Sequence, residues 1–427
     1  MSIPNLSLAV LGKKIAFSTV VQYGGKLLQL VIGAIILKLI SQYLSQSEYG
    51  VYGTIMEYAL FFSMLANLGI FANVVRRMAD APRDGKIFLN ALVLRIMTAI
   101  SIFLTAILIL LLGQGNDVFV FGSLLFLGAL LFDYVTSVCD GMLQANYLMG
   151  RTTAALLLGR GLYLLLIWWS VQMATFSIPF AFLFNVIAAL VTAAVSFYFV
   201  ARKIDWSWKI DTKLMWSILI TGLPFGIISI INSLYFRFLP DYFAHGALSD
   251  AEFGTFNISF RIAQVLALFS TFLMFSVLPG LKQFIDEKHW HKVKSLYKVV
   301  WKILLTVGAL LVVFGGLFGE MVITLLTDKK YFLPEFWFLL PMMLLVAAIS
   351  YGYDLILITL FALEHDMWLL KREFIALTIA GIVFACSWLV DDIPTKLLLI
   401  IAASLVGETT MVILGTRKIK EVLSSKF

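Results

Sequence analysis

Long apolar runs separated by short polar breaks fill the chain from end to end. A hydrocarbon layer about 30 Å thick takes about 20 apolar residues per helix, and windows of that size predict twelve spans. They lie near 15–40, 48–75, 87–112, 118–142, 153–175, 179–201, 214–239, 252–278, 299–318, 336–362, 368–389 and 395–415. Ten-residue stretches of alternating polar and apolar positions, the mark of a membrane barrel, are absent. The expected fold is therefore all-α and polytopic, with about 12 transmembrane helices. Six spans precede the polar loop at 201–213 and six follow it, so two six-helix bundles are expected, residues 1–205 and 206–427.

One polar break is written twice. "LSQSEYGVY" at 44–52 returns as "LSDAEFGTF" at 248–256, each time after the first span of its half. Six is even, so both halves begin on the same side of the membrane, as in a parallel internal repeat. Ser45 with Glu48 and Ser249 with Glu252 match the S-x-x-E capping box. An ion site at Glu48 and Glu252 is the weaker alternative. Tyr49 or Phe253 suits the interfacial aromatic belt, and Gly50 or Gly254 allows close helix packing.

Composition agrees with the pattern: 61% of residues are hydrophobic, 13% are charged, and the mean hydropathy is +0.97. The net charge of +7 follows from topology. With the N-terminus inside, and residues at span ends counted with the segments they adjoin, 23 of the 32 Lys and Arg residues fall on the inner side, three on the outer (Lys329, Lys330, Lys396) and six deeper within spans. By the positive-inside rule both termini are expected to be cytoplasmic, and a nucleic-acid partner is unnecessary. "KK" at 13–14 precedes an apolar run too long for a signal peptide and followed by no cleavage site. Cys139 and Cys386 lie in separate spans and are expected to be buried free thiols. The four histidines are expected in loops, with no metal spacing among them.

The six basic residues inside spans are Lys26, Lys38, Arg95, Arg160, Arg237 and Arg261. Lys38 and Arg237 lie near span ends, where snorkelling explains them. The other four sit roughly 12 to 17 Å deep at 1.5 Å per residue, where a charge needs a partner or a cavity. Gln22, Lys26, Gln29 and Gly33 recur at helical spacing on span 1, and Gly254, Asn257, Arg261 and Gln264 do so on span 8. Such stripes are expected to line a cavity, or else to bond helices in a packed interface. The acids identified inside spans are Glu57, Asp133, Asp140, Asp354 and Glu408. Asp133 lies at a depth close to Arg95, and a pair there can be structural or functional. At the repeat offset Glu57 corresponds to Arg261. Pro224, in "GLPFG" of span 7, should bend its helix, either as a hinge or as a static kink.

Together the twelve spans, "LSxxEYGxY" after the first, the basic loop after the second, "LPFGIISIINSLYFRFLPD", "EFGTFNISFRIAQ" and "VLPGL" resemble the Wzx-type polysaccharide and O-antigen flippases. Those belong to the multidrug/oligosaccharidyl-lipid/polysaccharide (MOP) superfamily, which has the MATE-like fold. The resemblance implies a carrier that moves a lipid-linked oligosaccharide on undecaprenyl pyrophosphate across the bacterial inner membrane by alternating access. It also implies a polysaccharide polymerase and other assembly proteins as partners. On that reading Lys26, Arg95, Arg160, Arg261 and Arg237 would hold pyrophosphate or acidic sugars, and Gln22, Gln29, Asn257 and Gln264 the sugar hydroxyls. Glu57, or in second place Asp133, would carry a coupling proton or sodium ion; no cofactor or metal is expected. A MATE-type or other small-molecule transporter shares the pattern, but a site for organic cations should be acidic. The loop "RRMADAPRDGK" lacks the G-x-x-x-D-R signature of the major facilitators. A membrane glycosyltransferase or polymerase would show a large outer loop with catalytic groups. The longest outer segment, 319–335, is short, and no catalytic motif occurs, so an enzyme is not expected.

Overall fold

The computed structural model describes the backbone of residues 8–81, 83–113, 116–146 and 148–425. It describes their side chains from Gly24 onward, except at 72, 75, 76, 79, 80, 145, 272, 275, 276 and 279. Among these residues the chain is helical, and one isolated bridge, Asp84 with Asp205, is the sole β-type pairing. In chain order the helices are α1 (Leu8–Tyr43), α2 (Gln46–Asn67), α3 (Ile70–Asp80), α4 (Gly85–Leu112), α5 (Asp117–Ala145), α6 (Met149–Gln172) and α7 (Ile178–Ala201). They continue with α8 (Thr212–Ser233), a π-helical turn (Leu234–Phe238), α9 (Leu239–His245), α10 (Asp250–Asp286), α11 (Trp290–Leu326), α12 (Leu339–Ala362), α13 (Asp366–Cys386) and α14 (Ile393–Ser424).

All twelve predicted spans meet a helical rod, with three corrections. Span 2 is broken into α2 and α3 at Leu68 and Gly69, which both have positive φ (43° and 68°). Span 7 widens into the π-helical turn before α9. Spans 8, 9 and 12 extend as α10, α11 and α14 by several turns, because hydropathy detects the apolar stretch and not the polar turns that continue it. In α11 the predicted end at Phe318 coincides with a kink (φ −126°, ψ 21°). Among the described residues, nine helical stretches are long and apolar enough to cross a membrane. Rods α2, α10 and α13 are not among them, and these carry the inward-turned polar residues Glu57, Arg261 and Glu373. Cys139 is buried as expected, whereas Cys386 ends α13 and is exposed. His245, His289 and His365 border helices, but His291 lies within the first turn of α11.

The chain packs as two compact units. The first runs to Leu44 and resumes over Thr54–Gly226; the second takes Ser45–Gly53 and continues from Ile227. In the first unit α5 packs on α3, α4, α6 and α7, and α1 lies along α6. Helix α4 shows how faces are chosen. Phe88, Ala91, Arg95, Ala99, Phe103, Ala106 and Leu110 are buried at three- to four-residue spacing, while Met97, Ile100, Leu104, Leu108 and Leu111 remain exposed on the opposite side, the face suited to lipid. The loop after α7 is tied to the start of α4. Asn90, fully buried, donates to the Lys209 carbonyl at 2.9 Å and accepts from the Asp211 amide at 2.7 Å. Lys86 Nζ meets Asp211 Oδ2 at 2.6 Å and holds that carboxyl below its usual range.

The second unit is built around α12, which packs on α10, α11 and α14, with α13 against α14. Both capping boxes form. The Ser45 amide donates to Glu48 at 2.8 Å and the Glu48 amide returns to Ser45 Oγ at 3.2 Å; the Ser249 amide reaches Glu252 at 2.9 Å within the equivalent box. The two copies of the repeated phrase also pack on each other. A Cβ on Gly50 would lie 2.3 Å from the Asp250 carbonyl oxygen, and one on Gly254 would lie 2.4 Å from that of Gln46. These contacts are reciprocal in the repeat register: 50 matches 254, and 46 matches 250. The phrase is a helix start that pairs with its own copy across a local two-fold. Gly53 falls against the Asn257 amide, its own counterpart in that register.

Candidate functional site

Below the cap of α10 every residue from Phe253 to Phe260 is buried, with Phe253, Phe256 and Phe260 stacked at centroid distances of 6.1 and 5.7 Å. Arg261 is the first half-buried residue after this run. Its Nε donates to Asn257 Oδ1 at 2.6 Å, and Asn257 Nδ2 reaches Asp241 Oδ1 at 3.4 Å. The guanidinium lies over the Tyr52 ring, 5.7 Å from its centroid. Asn257 is wholly buried and Asp241 nearly so, so the amide fixes the Arg261 head while the acid fixes the amide. Gln264, one turn on, lines a small cavity with Phe236, Pro240, Phe260, Met343 and Ser404, and its Nε2 makes no hydrogen bond. Arg237 stands on the π-helical turn, its guanidinium 5.5 Å from the Phe238 ring centroid. The span 8 stripe is thus one assembly. Asp241 escapes a sequence reading because it follows Pro240, beyond the predicted end of span 7.

The remaining predicted residues belong to the first unit. Lys26 and Gln29 are half-buried on α1, where Gly25 lets that helix approach Thr153 of α6; the Gln22 side chain lies outside the described residues. Glu57 is buried on α2. Arg160 of α6 and Asp133 of α5 are both exposed and within electrostatic reach of each other. Arg95 has another setting. It is 4% exposed, donates from Nη1 at 2.8 Å to both the backbone and side-chain oxygens of Asn67, and stacks on the Tyr134 ring at 4.2 Å. Asn67 is the last residue of α2, so Arg95 satisfies a helix end that has no successor turn. The depth match with Asp133 does not become a pair, because Tyr134, about 100° further round the helix, presents its ring to Arg95.

That helix end is one side of a tight joint. A Cβ on Gly69 would lie 2.1 Å from the Gly222 carbonyl oxygen, and one on Gly226 would lie 2.4 Å from the Leu68 carbonyl carbon. Asn73 donates to the Ile218 carbonyl at 2.7 Å, and Arg77 donates to Asn73 and to Ser217. The two glycines around Pro224 therefore seat the α2–α3 turn, and Pro224 itself sits inside a continuous α8.

The described residues form helical rods in two units, and nine stretches of them are long and apolar enough to cross a membrane. A MATE family multidrug resistance transporter of the MOP superfamily in its inward-facing conformation superposes with a TM-score of 0.72 at 15% identity, over 96% of this chain and 98% of that one. A MOP superfamily transporter from Pyrococcus furiosus, characterised by a binding pocket of reverse polarity, gives 0.70 at 14% identity, over 97% and 95% of the two chains. An outward-facing MATE family transporter gives 0.70 at 15%, over 97% and 95%. Identities this low carry the fold, which is MATE-like. No curated protein matches the chain by sequence. The polysaccharide biosynthesis protein family matches residues 11–279, more than half of the sequence, and the chain belongs to that family. It is thus a polysaccharide biosynthesis family member with a MATE-like fold.

Proposed function

We propose that the protein flips a lipid-linked oligosaccharide, on an undecaprenyl pyrophosphate carrier, from the cytoplasmic to the outer leaflet of the bacterial plasma membrane by alternating access. The observation that carries this reading is Arg261: a guanidinium about three turns into α10, oriented by a buried amide and a buried acid, in a chain of the polysaccharide biosynthesis family. A planar cation held in this way suits phosphate oxygens, and a charge within the bilayer marks a substrate path. Lys26, Arg160 and Arg237 supply further positive charge, and Gln29, Asn257 and Gln264 amide groups for sugar hydroxyls. Arg95 serves the site by holding the end of α2. Glu57, with Asp133 as second choice, carries a coupling proton or sodium ion. Polymerase and assembly proteins would receive the product outside, and both chain ends would lie in the cytoplasm.

The test is a proteoliposome assay with the purified chain. A short-chain pyrophosphate-linked oligosaccharide should become accessible to an external glycosidase, while a hydrophobic organic cation should not move. Movement of the cation alone would overturn the reading.

A further inference from the structure

Tyr235, in the π-helical turn, is the centre of a second polar cluster. Glu373 of α13 and Glu408 of α14 are both fully buried beside it. Glu373 accepts hydrogen bonds from Tyr353 Oη at 2.6 Å and from Tyr235 Oη at 3.1 Å. Asn232 Nδ2 donates to Tyr235 Oη at 2.9 Å and to Glu408 Oε1 at 3.0 Å. From α14, Ser404 Oγ donates to the Tyr235 carbonyl at 2.7 Å, and Gly407 lies flat on the tyrosine ring, where a Cβ would be 2.6 Å away. Glu408 Oε2, equally buried, has no hydrogen-bond partner.

The groups facing the two acids are acids, tyrosines and an amide. Helix α12 presents Tyr353 and Asp354, the latter bonded by Ser270 and Thr271 of α10. Helix α8 and the π-helical turn present Asn232 and Tyr235, α13 presents Glu373, and α9 contributes no charged group. Among the described residues no lysine, arginine or histidine acts on either acid. Two uncompensated buried carboxylates side by side are strongly unfavourable. Glu373 has two hydroxyl donors to support its charge, whereas Glu408 has one amide donor and an idle oxygen.

We propose that Glu408 binds a proton on Oε2, with Glu373 ionised against the two tyrosines, and that release of this proton loosens the grip of α14 on the π-helical turn. Ser404, which holds that turn, lines the same small cavity as Gln264. The proton site therefore abuts the candidate substrate residues, and its coupling role, though not the proton binding itself, rests on the transport reading above.

Infrared difference spectroscopy of the purified full chain, titrated from acid to alkaline pH, tests the assignment. The wild type should show a protonated-carboxyl stretch that disappears as pH rises. The component of this band that Glu408→Gln removes should be kept in Glu335→Gln, a change at an exposed acid outside the cluster, all three proteins first shown to be monodisperse. Glu373→Gln removes the neighbouring negative charge, so its band should vanish about one pH unit or more lower than in wild type. A band left unchanged by Glu408→Gln, or a midpoint unmoved by Glu373→Gln, overturns the proposal. So does loss of the band on replacing potassium with sodium at fixed pH, which would make a sodium ion the occupant. If the band behaves as expected while proteoliposomes move no lipid-linked oligosaccharide, the proton site stands and the transport reading falls.

Discussion

Arg95 looks like Arg261 in the sequence: one basic residue deep in an apolar run. The structure separates them by their partners. Arg95 is enclosed and bonds the terminal carbonyl and side chain of Asn67, while Arg261 is half-buried and oriented through Asn257 by Asp241. Arg95→Ala leaves a half-buried helix-end carbonyl without its donor and empties the space its side chain fills, and should destabilise the protein by about 3 kcal/mol, read as a lower unfolding temperature in detergent. Asp241→Asn should leave stability nearly unchanged but lower substrate affinity, because a neutral amide accepts from the amide of residue 257 more weakly than a carboxylate does and can turn its own NH2 towards it, which frees that rotamer. Comparing saturation of transport in Asp241→Asn and wild type checks this; an identical half-saturation concentration would mean that Asp241 does not position Arg261. The sequence shows that both arginines are exceptional. It does not separate a helix-end clamp from a ligand site, since that distinction depends on which residue of the next helix lies at the same height and phase.

Among the elements, helix faces that bury polar side chains against a neighbouring helix are the least visible in hydropathy, because a packed interface satisfies groups that the pattern reads as polar breaks. Glu373 was passed over for this reason: it follows Lys371 and Arg372 and reads as the edge of span 11, yet it is fully buried. The α2–α3 break was equally hidden, since "NLGI" keeps the apolar run going while Leu68 and Gly69 turn the chain. Gly69→Ala places a Cβ where φ is +68° and the Gly222 carbonyl oxygen is 2.1 Å away. It should cost about 2 to 3 kcal/mol or prevent insertion, measured by unfolding temperature and membrane yield. The capping phrases, by contrast, were fully legible, because a capping box is local in sequence. What pattern alone could not convey is that the two copies pack on each other, with Gly50 and Gly254 in equivalent contacts. At the other end, the loop after α7 is held by Asn90 and the Lys86–Asp211 pair. Asp211 is held below its usual range, so its contribution is complete above the unfolded carboxylate pKa of about 3.9 and is lost as pH falls through the lower folded value. The protection of amides 203–211 relative to intrinsic exchange should therefore be unchanged from pH 8 to 5 and should fall in Asp211→Asn at neutral pH.

For the molecule as a whole, hydropathy, basic-residue asymmetry and a single repeated phrase were enough to reach an all-α polytopic protein of MATE-like fold, because a bilayer dictates helix length and capping dictates where helices begin. Substrate chemistry is a property of side chains from several helices, and the sequence exposed only those that are conspicuous as charges in apolar runs. The central claim is that basic residues inside the spans hold a phosphate-bearing lipid. It is tested most directly by transport of a pyrophosphate-linked oligosaccharide in vesicles containing wild type, Arg261→Ala, Arg261→Lys or the Lys26→Ala, Arg261→Ala double variant at equal protein density. Loss of a charge-assisted phosphate contact at about 2 kcal/mol predicts at least tenfold slower movement in Arg261→Ala, partial recovery in Arg261→Lys and near abolition in the double variant. Transport at the wild-type rate in the double variant would contradict the account.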